Sequence, residues 1–195
     1  MRNDIAVPHI ILKTVDSTNT YAKKLIKYGE KAPFLVTAES QTAGRGRYGK
    51  SFYSPEGGLY MSLALKYDGS EEQKQEQTTL AVAAAVCFVL EQQFGVYPLI
   101  KPVNDLIIEG KKVCGILCEA VSGQNGILDT VIIGVGINTW DEGLSIPDNL
   151  KDIAGTVIST LTNSALAGEI VREIMETVAR GADYFLPEYE SRLLK

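Results

Sequence analysis

A short loop of this sequence places three cations between glycines. Residues 44–50 read GRGRYGK, so Arg45, Arg47 and Lys50 alternate with residues that let the backbone approach a ligand. Arginine forks bind phosphate or carboxylate oxygens two at a time, and successive N–H groups in a glycine-rich turn form a concave anion site. The chain has a net charge of −5, so an anion must be bound locally, and this loop predicts such a site. A solvated basic turn fits the same residues equally well.

A second polar group lies around a predicted β-hairpin. Asn104 and Asp105 stand at its start, and Lys112 lies just past its turn at residues 109–110. A carboxylate can hold Mg²⁺, and a lysine can offset charge that develops on a phosphoryl or carboxylate oxygen. The residues alone favour a plainer interpretation, in which Asn-Asp caps a turn and the lysine faces solvent. Gly115, inside the second strand, marks either a weak packing point or a place where a ligand meets the backbone.

Composition narrows the class of protein. The chain has 195 residues, 45% of them hydrophobic and 22% charged, which suits one domain with a sizeable core. Its 19 Lys and Arg against 24 Asp and Glu argue against binding nucleic acid by bulk positive charge. The single histidine, His9, excludes His-based metal sites. The three cysteines lie in apolar contexts and predict reduced thiols in the core of a cytoplasmic protein, and no apolar run is long enough to cross a membrane.

The predicted elements form one domain of α+β (α/β) class over residues 1–195. An N-cap segment at residues 16–19 precedes a helix that Gly29 ends, and a later helix is apolar through its second half. Between the strands predicted at residues 33–38 and 58–67 lies an irregular, glycine-rich segment, which we interpret as a long loop. Strands are predicted at residues 9–15, 33–38, 58–67, 105–108, 111–119 and 126–138, and helices at 20–28, 71–94 and 166–185.

The order of the motifs is more specific than any one of them. In chain order they are STN at residues 17–19, ESQTAGRGR at 39–47, KPVNDL at 101–106, GKKVCGIL at 110–117 and GVGIN at 134–138. With this order and these intervals, the sequence resembles the biotin protein ligases of the biotin/lipoate ligase superfamily, from residue 10 to about residue 190. The resemblance implies a mixed β-sheet with flanking helices, a fold related to the catalytic domains of class II aminoacyl-tRNA synthetases.

The resemblance also implies a two-step reaction that uses biotin, ATP and Mg²⁺. Biotin attacks the α-phosphate of MgATP to give biotinyl-5′-AMP and pyrophosphate. A lysine of a biotin carboxyl carrier domain, part of a biotin-dependent carboxylase, then takes the biotinyl group. No helix-turn-helix precedes the domain and the small β domain that usually follows is missing, so we expect no DNA-binding repression. A membrane partner is not expected either, and a homodimer is left open.

Single residues receive roles from the same resemblance. Arg47, Lys112 and Asp105 would act in catalysis, with Asp105 holding the metal. An uncharged set would hold the ureido ring of biotin, namely Ser17, Thr18, Asn19 and Gln41. A second set would serve the biotin carboxylate and ATP, namely Gly44, Arg45, Gly46, Arg47, Phe52, Asn104 and Lys112. Gly115 and Asn138 would line the pocket.

Three residues depart from the family pattern. Pro102 stands where the family usually has Trp, Phe52 replaces another Trp, and Lys50 replaces an Arg. We therefore expect weaker adenine stacking or loop closure, although Phe52 still offers a ring. Two alternatives stay open, a lipoate or octanoate ligase and a biotin-binding homologue with little or no ligase activity. The uncharged cluster at residues 17–19 with Gln41 favours biotin, because a long apolar acyl chain needs no such cluster.

Overall fold

The computed structural model describes residues 7–66, 72–122, 128–139 and 146–195. Within these ranges, seven strands form one sheet. The strands are β1 (His9–Val15), β2 (Phe34–Gln41), β3 (Leu59–Lys66), β4 (Leu99–Lys101), β5 (Asp105–Ile108), β6 (Lys111–Ser122) and β7 (Leu128–Ile137). The α-helices are α1 (Thr18–Lys27), α2 (Glu72–Phe94), α3 (Asn163–Arg180) and α4 (Ala182–Ser191), and short 3₁₀ turns cover Arg47–Gly49 and Asp148–Leu150.

The sheet is mixed, and this confirms the predicted fold class. Its strand order is β1-β2-β3-β7-β6-β5-β4. β1 and β2 are parallel, with α1 as the crossover between them, whereas the remaining neighbours in the sheet are antiparallel. In the antiparallel part, β7 lies between β6, the strand before it in the chain, and β3, which is distant from both in the chain.

Two hydrophobic clusters cover opposite faces of the sheet, because alternate residues of a strand point to opposite sides. On β2, Phe34 and Val36 pack in the cluster that contains α1, while Leu35 packs in the larger cluster with α2, α3 and α4. α2 contacts α3, α4 and β6. Its buried stretch AVAAA at residues 81–85 consists mostly of small residues, which lets the helix approach the sheet closely.

Most predicted elements are confirmed, with shifted ends. The hairpin turn falls at Glu109 and Gly110, which have positive φ angles of 50° and 77°. The prediction of one helix over residues 166–185 is wrong, because Gly181 adopts a φ of 82° and separates α3 from α4. β4 is a separate short strand that the sequence pattern does not distinguish. Positions 67, 71, 126 and 127 of the predicted elements lie outside the described residues.

The three cysteines lie in the core, as predicted. All are buried without a disulfide, and burial raises the pKa of Cys87 and of Cys118 to about 12. They therefore stay protonated at neutral pH and pack as small apolar groups. None of the described helices has the length and apolar character needed to cross a membrane. The described ranges also contain no cluster of three or more His, Cys, Asp or Glu side chains that could hold a metal ion.

The residues after α4 extend the sheet beyond β4. The Ile100 amide donates to the Arg192 carbonyl at 2.7 Å. The Arg192 side chain is 3% exposed, forms ion pairs with Glu91 and Glu188, and lies with its Cζ 4.3 Å from the ring centre of Tyr97. Its Nη1 is the one buried side-chain N or O atom of the described residues that lacks a hydrogen-bond partner. This contact fixes β4 and so the start of the segment that leads into β5.

Candidate functional site

A cavity of about 590 Å³ opens over the antiparallel part of the sheet. Its walls come from the start of α1, the end of β2, the basic loop at residues 44–50, the segment 101–105, and strands β6 and β7. The volume lies within the range of about 300–1,000 Å³ that is typical of small-molecule sites. This cavity is therefore the candidate functional site.

One end of the cavity is uncharged, and its residues hydrogen-bond to one another. The Thr18 amide donates to Gln41 Oε1 at 2.9 Å, and Gln41 Nε2 donates to Ser54 Oγ at 2.8 Å. The buried Ser62 hydroxyl lies 2.8 Å from Thr18 Oγ1 and 2.6 Å from Asn19 Oδ1. α1, β2 and β3 thus position a connected group of polar side chains, because each element contributes one or two members.

The side-chain amide of Asn19 is held by further partners on β6. Its Nδ2 donates to the Leu117 carbonyl at 3.2 Å and to Glu119 Oε2 at 2.9 Å. The other carboxylate oxygen of Glu119 accepts from Lys23 on α1. Burial alone would raise the pKa of Glu119, but the hydrogen bonds from Lys23 and Asn19 outweigh it and hold the pKa below its ordinary value. Glu119 is therefore ionised at neutral pH.

Glycines of β6 and β7 form the floor of the cavity. Gly115 and Gly136 are cross-strand partners, and both lie under the ring of Phe52. A Cβ at Gly136 would lie 2.7 Å from Phe52 Cε1, and one at Gly115 would lie 3.0 Å from Cε2. Gly134 has the same relation to Asn19, whose Oδ1 would lie 2.2 Å from a Cβ. The glycines are needed because neighbouring side chains occupy the space that a Cβ would fill.

Lys112 and Asp105 meet across the hairpin formed by β5 and β6. Lys112 Nζ lies 2.8 Å from Asp105 Oδ1, and both side chains are about one-third exposed. Nζ also lies 5.4 Å from the ring centre of Phe52. The prediction that the hairpin brings an ammonium and a carboxylate together is confirmed. Their catalytic and metal-binding roles stay predictions.

Asn104 fixes the segment before β5 against β6. Its Nδ2 donates to the Ile116 carbonyl at 2.8 Å, and the Ile116 amide donates to the Asn104 carbonyl at 3.0 Å. The same segment contains Pro102, which lines the cavity. Asn104 therefore uses one N–H of its side chain to hold β6, and it also lines the cavity next to Asp105.

The basic loop folds back on itself at the mouth of the cavity. The Gly46 amide donates to the Lys50 carbonyl at 2.7 Å, and the Phe52 amide donates to the Gly44 carbonyl at 2.9 Å. At its tip, Tyr48 has a φ of 57° and is 88% exposed. None of the three cations of the loop forms an ion pair with a described residue. Their charge is therefore available to an anionic ligand.

The loop also fits the spacings of two phosphate-binding motifs, G-x-x-x-x-G-K-S and G-x-G-x-x-G. Both motifs need a helix directly after the loop, because the helix N-terminus holds the phosphate. Here the loop runs through a 3₁₀ turn and then into β3. Neither motif applies, so anion binding by this loop depends on its arginine side chains and exposed backbone.

The charge of the cavity is opposite to that of the chain. Among the residues that the structure describes, its lining contains five cations and two carboxylates, whereas the whole chain has a net charge of −5. The cations are Arg45, Arg47, Lys50, Lys101 and Lys112, and the carboxylates are Glu76 and Asp105. The site thus combines an uncharged hydrogen-bonding end with a cationic end.

The cavity brings together the predicted site residues except Gly44 and Asn138. A Cβ at Gly44 would lie 2.4 Å from the Phe52 carbonyl oxygen, so this glycine permits close packing within the loop. The prediction that Asn138 lines the pocket is wrong, because its Nδ2 donates to the carbonyls of Lys112 at 3.3 Å and of Gly155 at 2.9 Å. It holds the backbone behind Lys112 instead.

Sequence reasoning misses Ser62, Glu119 and Lys23. Ser62 is fully buried in the otherwise apolar strand LYMSLALK, and Glu119 follows an apolar stretch of β6. A polar residue inside a buried strand must find a hydrogen-bond partner, and this signal could have marked both strand residues. The single histidine, His9, bonds to Thr37 Oγ1 at 2.8 Å and does not line the cavity.

The fold is that of the biotin protein ligases. The biotin protein ligase from Aquifex aeolicus, solved in complex with biotin and ATP, superimposes with a TM-score of 0.78 at 28% identity, over 96% of this chain and 78% of that chain. The ligase from Leishmania major, solved with biotinyl-5-AMP, shares the fold with a TM-score of 0.77 at 23% identity, over 96% of this chain and 83% of that chain.

Sequence comparison gives the family. The pattern of the Biotin/lipoate A/B protein ligase family matches residues 11–138. The bifunctional ligase/repressor BirA of Bacillus subtilis is 40% identical over 156 residues, which are 79% of this chain and 47% of that protein. The biotin–[acetyl-CoA-carboxylase] ligase of Paracoccus denitrificans is 35% identical over 130 residues, 66% of this chain and 53% of that protein. This chain belongs to the Biotin/lipoate A/B protein ligase family, and it spans about half the length of these relatives.

Proposed function

We propose that this chain is an ATP-dependent biotin protein ligase, which joins biotin to AMP and then to a lysine of a carrier protein. The observation that carries the proposal is the two-part cavity, uncharged at one end and cationic at the other, over a glycine floor. Biotin has the matching shape, with a cyclic urea at one end and a carboxylate at the other. The names of the similar proteins support the same substrate.

The uncharged end offers both donors and acceptors to a urea. Gln41 Nε2 carries a second N–H besides the one that Ser54 accepts, and the Ser17 hydroxyl makes no hydrogen bond to a described residue. Both can donate to the urea carbonyl, and Thr18 Oγ1 can accept from a urea N–H. Ser17 and Thr18 are buried and Gln41 is half-buried, so a lipoyl or octanoyl chain would leave these groups unpaired, which costs about 1–3 kcal/mol for each buried group. The site therefore favours biotin over those acids.

The cationic end stabilises charge during adenylation. One oxygen of the biotin carboxylate bonds to the α-phosphorus of ATP, and the bond from that phosphorus to the bridging oxygen breaks, so that pyrophosphate leaves. Negative charge grows on the phosphate oxygens in the transition state. Lys112 and Arg47 line the cavity and supply positive charge there, and Arg45 adds a guanidinium fork for the carboxylate.

Asp105 fits the metal that accompanies ATP. Mg²⁺ neutralises phosphate charge when it is bound, and proteins usually hold it through one or two carboxylates while phosphates and water supply the other ligands. Asp105 is a single, partly exposed carboxylate that lines the cavity. Its Oδ1 bonds to Lys112, and its second oxygen is left for the metal.

In the second step the acceptor is a lysine of a biotin carboxyl carrier domain. Its neutral ε-amine attacks the acyl carbon of biotinyl-AMP, the bond from that carbon to the AMP oxygen breaks, and AMP and a proton leave. Asp105 and Asn104 line the cavity, and their role in this step would be to orient the incoming amine. The buried, protonated thiols of the core fit the reducing cytoplasm as the compartment.

Biotin-dependent exchange of labelled pyrophosphate into ATP tests the first step, and label transfer to a carrier domain with a single acceptor lysine tests the second. We expect exchange with biotin at rates well above those with lipoic or octanoic acid, and loss of transfer when the acceptor lysine is replaced by Arg. Exchange with lipoic or octanoic acid but not with biotin would assign the other ligase class. Biotin binding without exchange would leave a binding protein and contradict the proposal.

A further inference from the structure

An ion pair lies directly behind the uncharged end of the cavity, and it is not part of the cavity lining. Lys23 of α1 and Glu119 of β6 bond to each other, with side chains 26% and 19% exposed. Glu119 also accepts from Asn19, which does line the cavity. We call these two residues the Lys23–Glu119 pair. It reaches the site through its hydrogen bond to the amide of Asn19, and the charge of Glu119 also acts on Arg45, which lines the cavity.

The pair and the Leu117 carbonyl together fix which way the Asn19 amide points. An ionised carboxylate can only accept hydrogen bonds, so Asn19 must turn its NH₂ group toward Glu119. The Leu117 carbonyl, which also only accepts, lies 3.2 Å from the same nitrogen and demands the same orientation. Asn19 Oδ1 is thereby turned to Ser62, 2.6 Å away.

The orientation of Asn19 then decides which hydroxyl donates in each of the next hydrogen bonds, because each hydroxyl has a single proton. The 2.6 Å contact uses the proton of Ser62, since the amide oxygen of Asn19 can only accept. The 2.8 Å contact between Ser62 and Thr18 therefore takes the proton of Thr18. The longer contact of Thr18 Oγ1 with Gln41 Oε1, at 3.2 Å, competes for that proton less well, and the Thr18 amide already satisfies Gln41 Oε1. Thr18 Oγ1 is left with lone pairs and no proton for a ligand.

We propose that the Lys23–Glu119 pair is a positioning element that sets the hydrogen-bond direction of the uncharged end, so that Thr18 accepts from an N–H group of the bound ring. This inference rests on the proposed function, because the N–H group is that of the biotin urea. It adds to substrate recognition two residues that do not line the cavity. The charge of Glu119 allows only one direction at its contact with Asn19, whereas a neutral side chain of the same shape can accept or donate.

The test compares Glu119→Gln and Lys23→Met with the wild type and with Lys27→Met, a control that removes an exposed lysine from the same helix. Isothermal titration with biotin alone gives Kd, and pyrophosphate exchange gives kcat and the KM values for biotin and ATP. We expect Glu119→Gln to weaken biotin binding about tenfold, as for the loss of one buried hydrogen bond with its partner left unpaired. We expect kcat and the KM for ATP to stay within about twofold of the wild type, because Lys112 and Arg47 at the cationic end keep their contacts.

Lys23→Met is expected to show a smaller loss of biotin affinity in the same direction, and Lys23→Arg to restore it, because an arginine keeps the ion pair. A purely structural role predicts something else, namely that the binding of biotin and of ATP is weakened alike. A biotin Kd for Glu119→Gln within twofold of the wild type, or equal increases in both KM values, would overturn the inference. Wild-type protein that binds biotin but shows no exchange would contradict only the ligase proposal, and the Kd comparison would still decide this one. Absence of biotin binding by the wild type would overturn both.

Discussion

Replacing Gly134 by alanine tests the close contact at the floor of the cavity. The new Cβ would lie 2.2 Å from Asn19 Oδ1 and 2.9 Å from its Cγ, whereas ordinary contacts begin at 3.4 Å. Asn19 is 4% exposed, so it has to move by about an ångström within a packed site. That movement breaks the 2.6 Å contact with Ser62 and the 2.9 Å bond to Glu119.

The expected cost follows from these two interactions. A neutral buried hydrogen bond contributes about 1 kcal/mol and one to a charged group about 1.5–3 kcal/mol, so Gly134→Ala should lower the free energy of unfolding by about 2–4 kcal/mol. Urea unfolding measures this free energy, and biotin titration should show a loss of affinity at the same time. The slope of the unfolding transition should not change, because the fold is retained.

A double-mutant cycle isolates the clash from other effects of the substitution. In an Asn19→Ala background the side chain that meets the new Cβ is gone, so Gly134→Ala should cost less than about 1 kcal/mol there. An equal cost of Gly134→Ala in both backgrounds, or no cost in the wild-type background, would refute the packing argument.

Three further predictions concern single residues. Lys112→Ala should reduce biotin-dependent pyrophosphate exchange by about 10²–10³ while the melting temperature stays within about 2 °C of the wild type. The reason is that the partly exposed Lys112 side chain acts on charge rather than on packing. Near-normal exchange would contradict the proposed role of Lys112. Arg192→Met should lower the free energy of unfolding by about 1–3 kcal/mol and speed hydrogen exchange at the Ile100 amide. The reason is that the buried guanidinium holds residue 192 in place, and the Ile100 amide donates to the carbonyl of that residue. An unchanged exchange rate at Ile100 would contradict the anchoring role of Arg192. The folded pKa of Glu119 is lowered from 4.5, so its carboxylate stabilises the fold above that pH, and the stability gap between the wild type and Glu119→Gln should shrink as the pH falls below 4.5. A gap that widens on acidification would show that Glu119 is protonated in the fold.

The local parts of the site could be predicted from the sequence. The Glu109-Gly110 turn between two β-branched stretches sets the hairpin, and the hairpin places Lys112 beside Asp105. The basic loop is likewise evident from its composition alone. These features depend on residues close together in the chain, where turn chemistry decides the geometry.

The long-range parts could not be predicted in the same way. The pairing of Gly115 with Gly136 depends on the register of β6 and β7. The position of the Phe52 ring over both glycines depends on a loop that begins on the other side of β3. The roles of Ser62 and Glu119 follow from partners that only the folded sheet brings near. The break at Gly181 was missed because the apolar periodicity continues from α3 into α4.

The most direct test of the central claim is to identify what the protein makes from biotin and MgATP. The protein is incubated with both, the small molecules that it retains are released, and their masses are measured, with lipoic or octanoic acid in parallel incubations. We predict the mass of biotinyl-5′-AMP with release of pyrophosphate, and much slower formation of this adenylate by Lys112→Ala. Recovery of unchanged biotin and ATP, or of a lipoyl or octanoyl adenylate alone, would contradict the account.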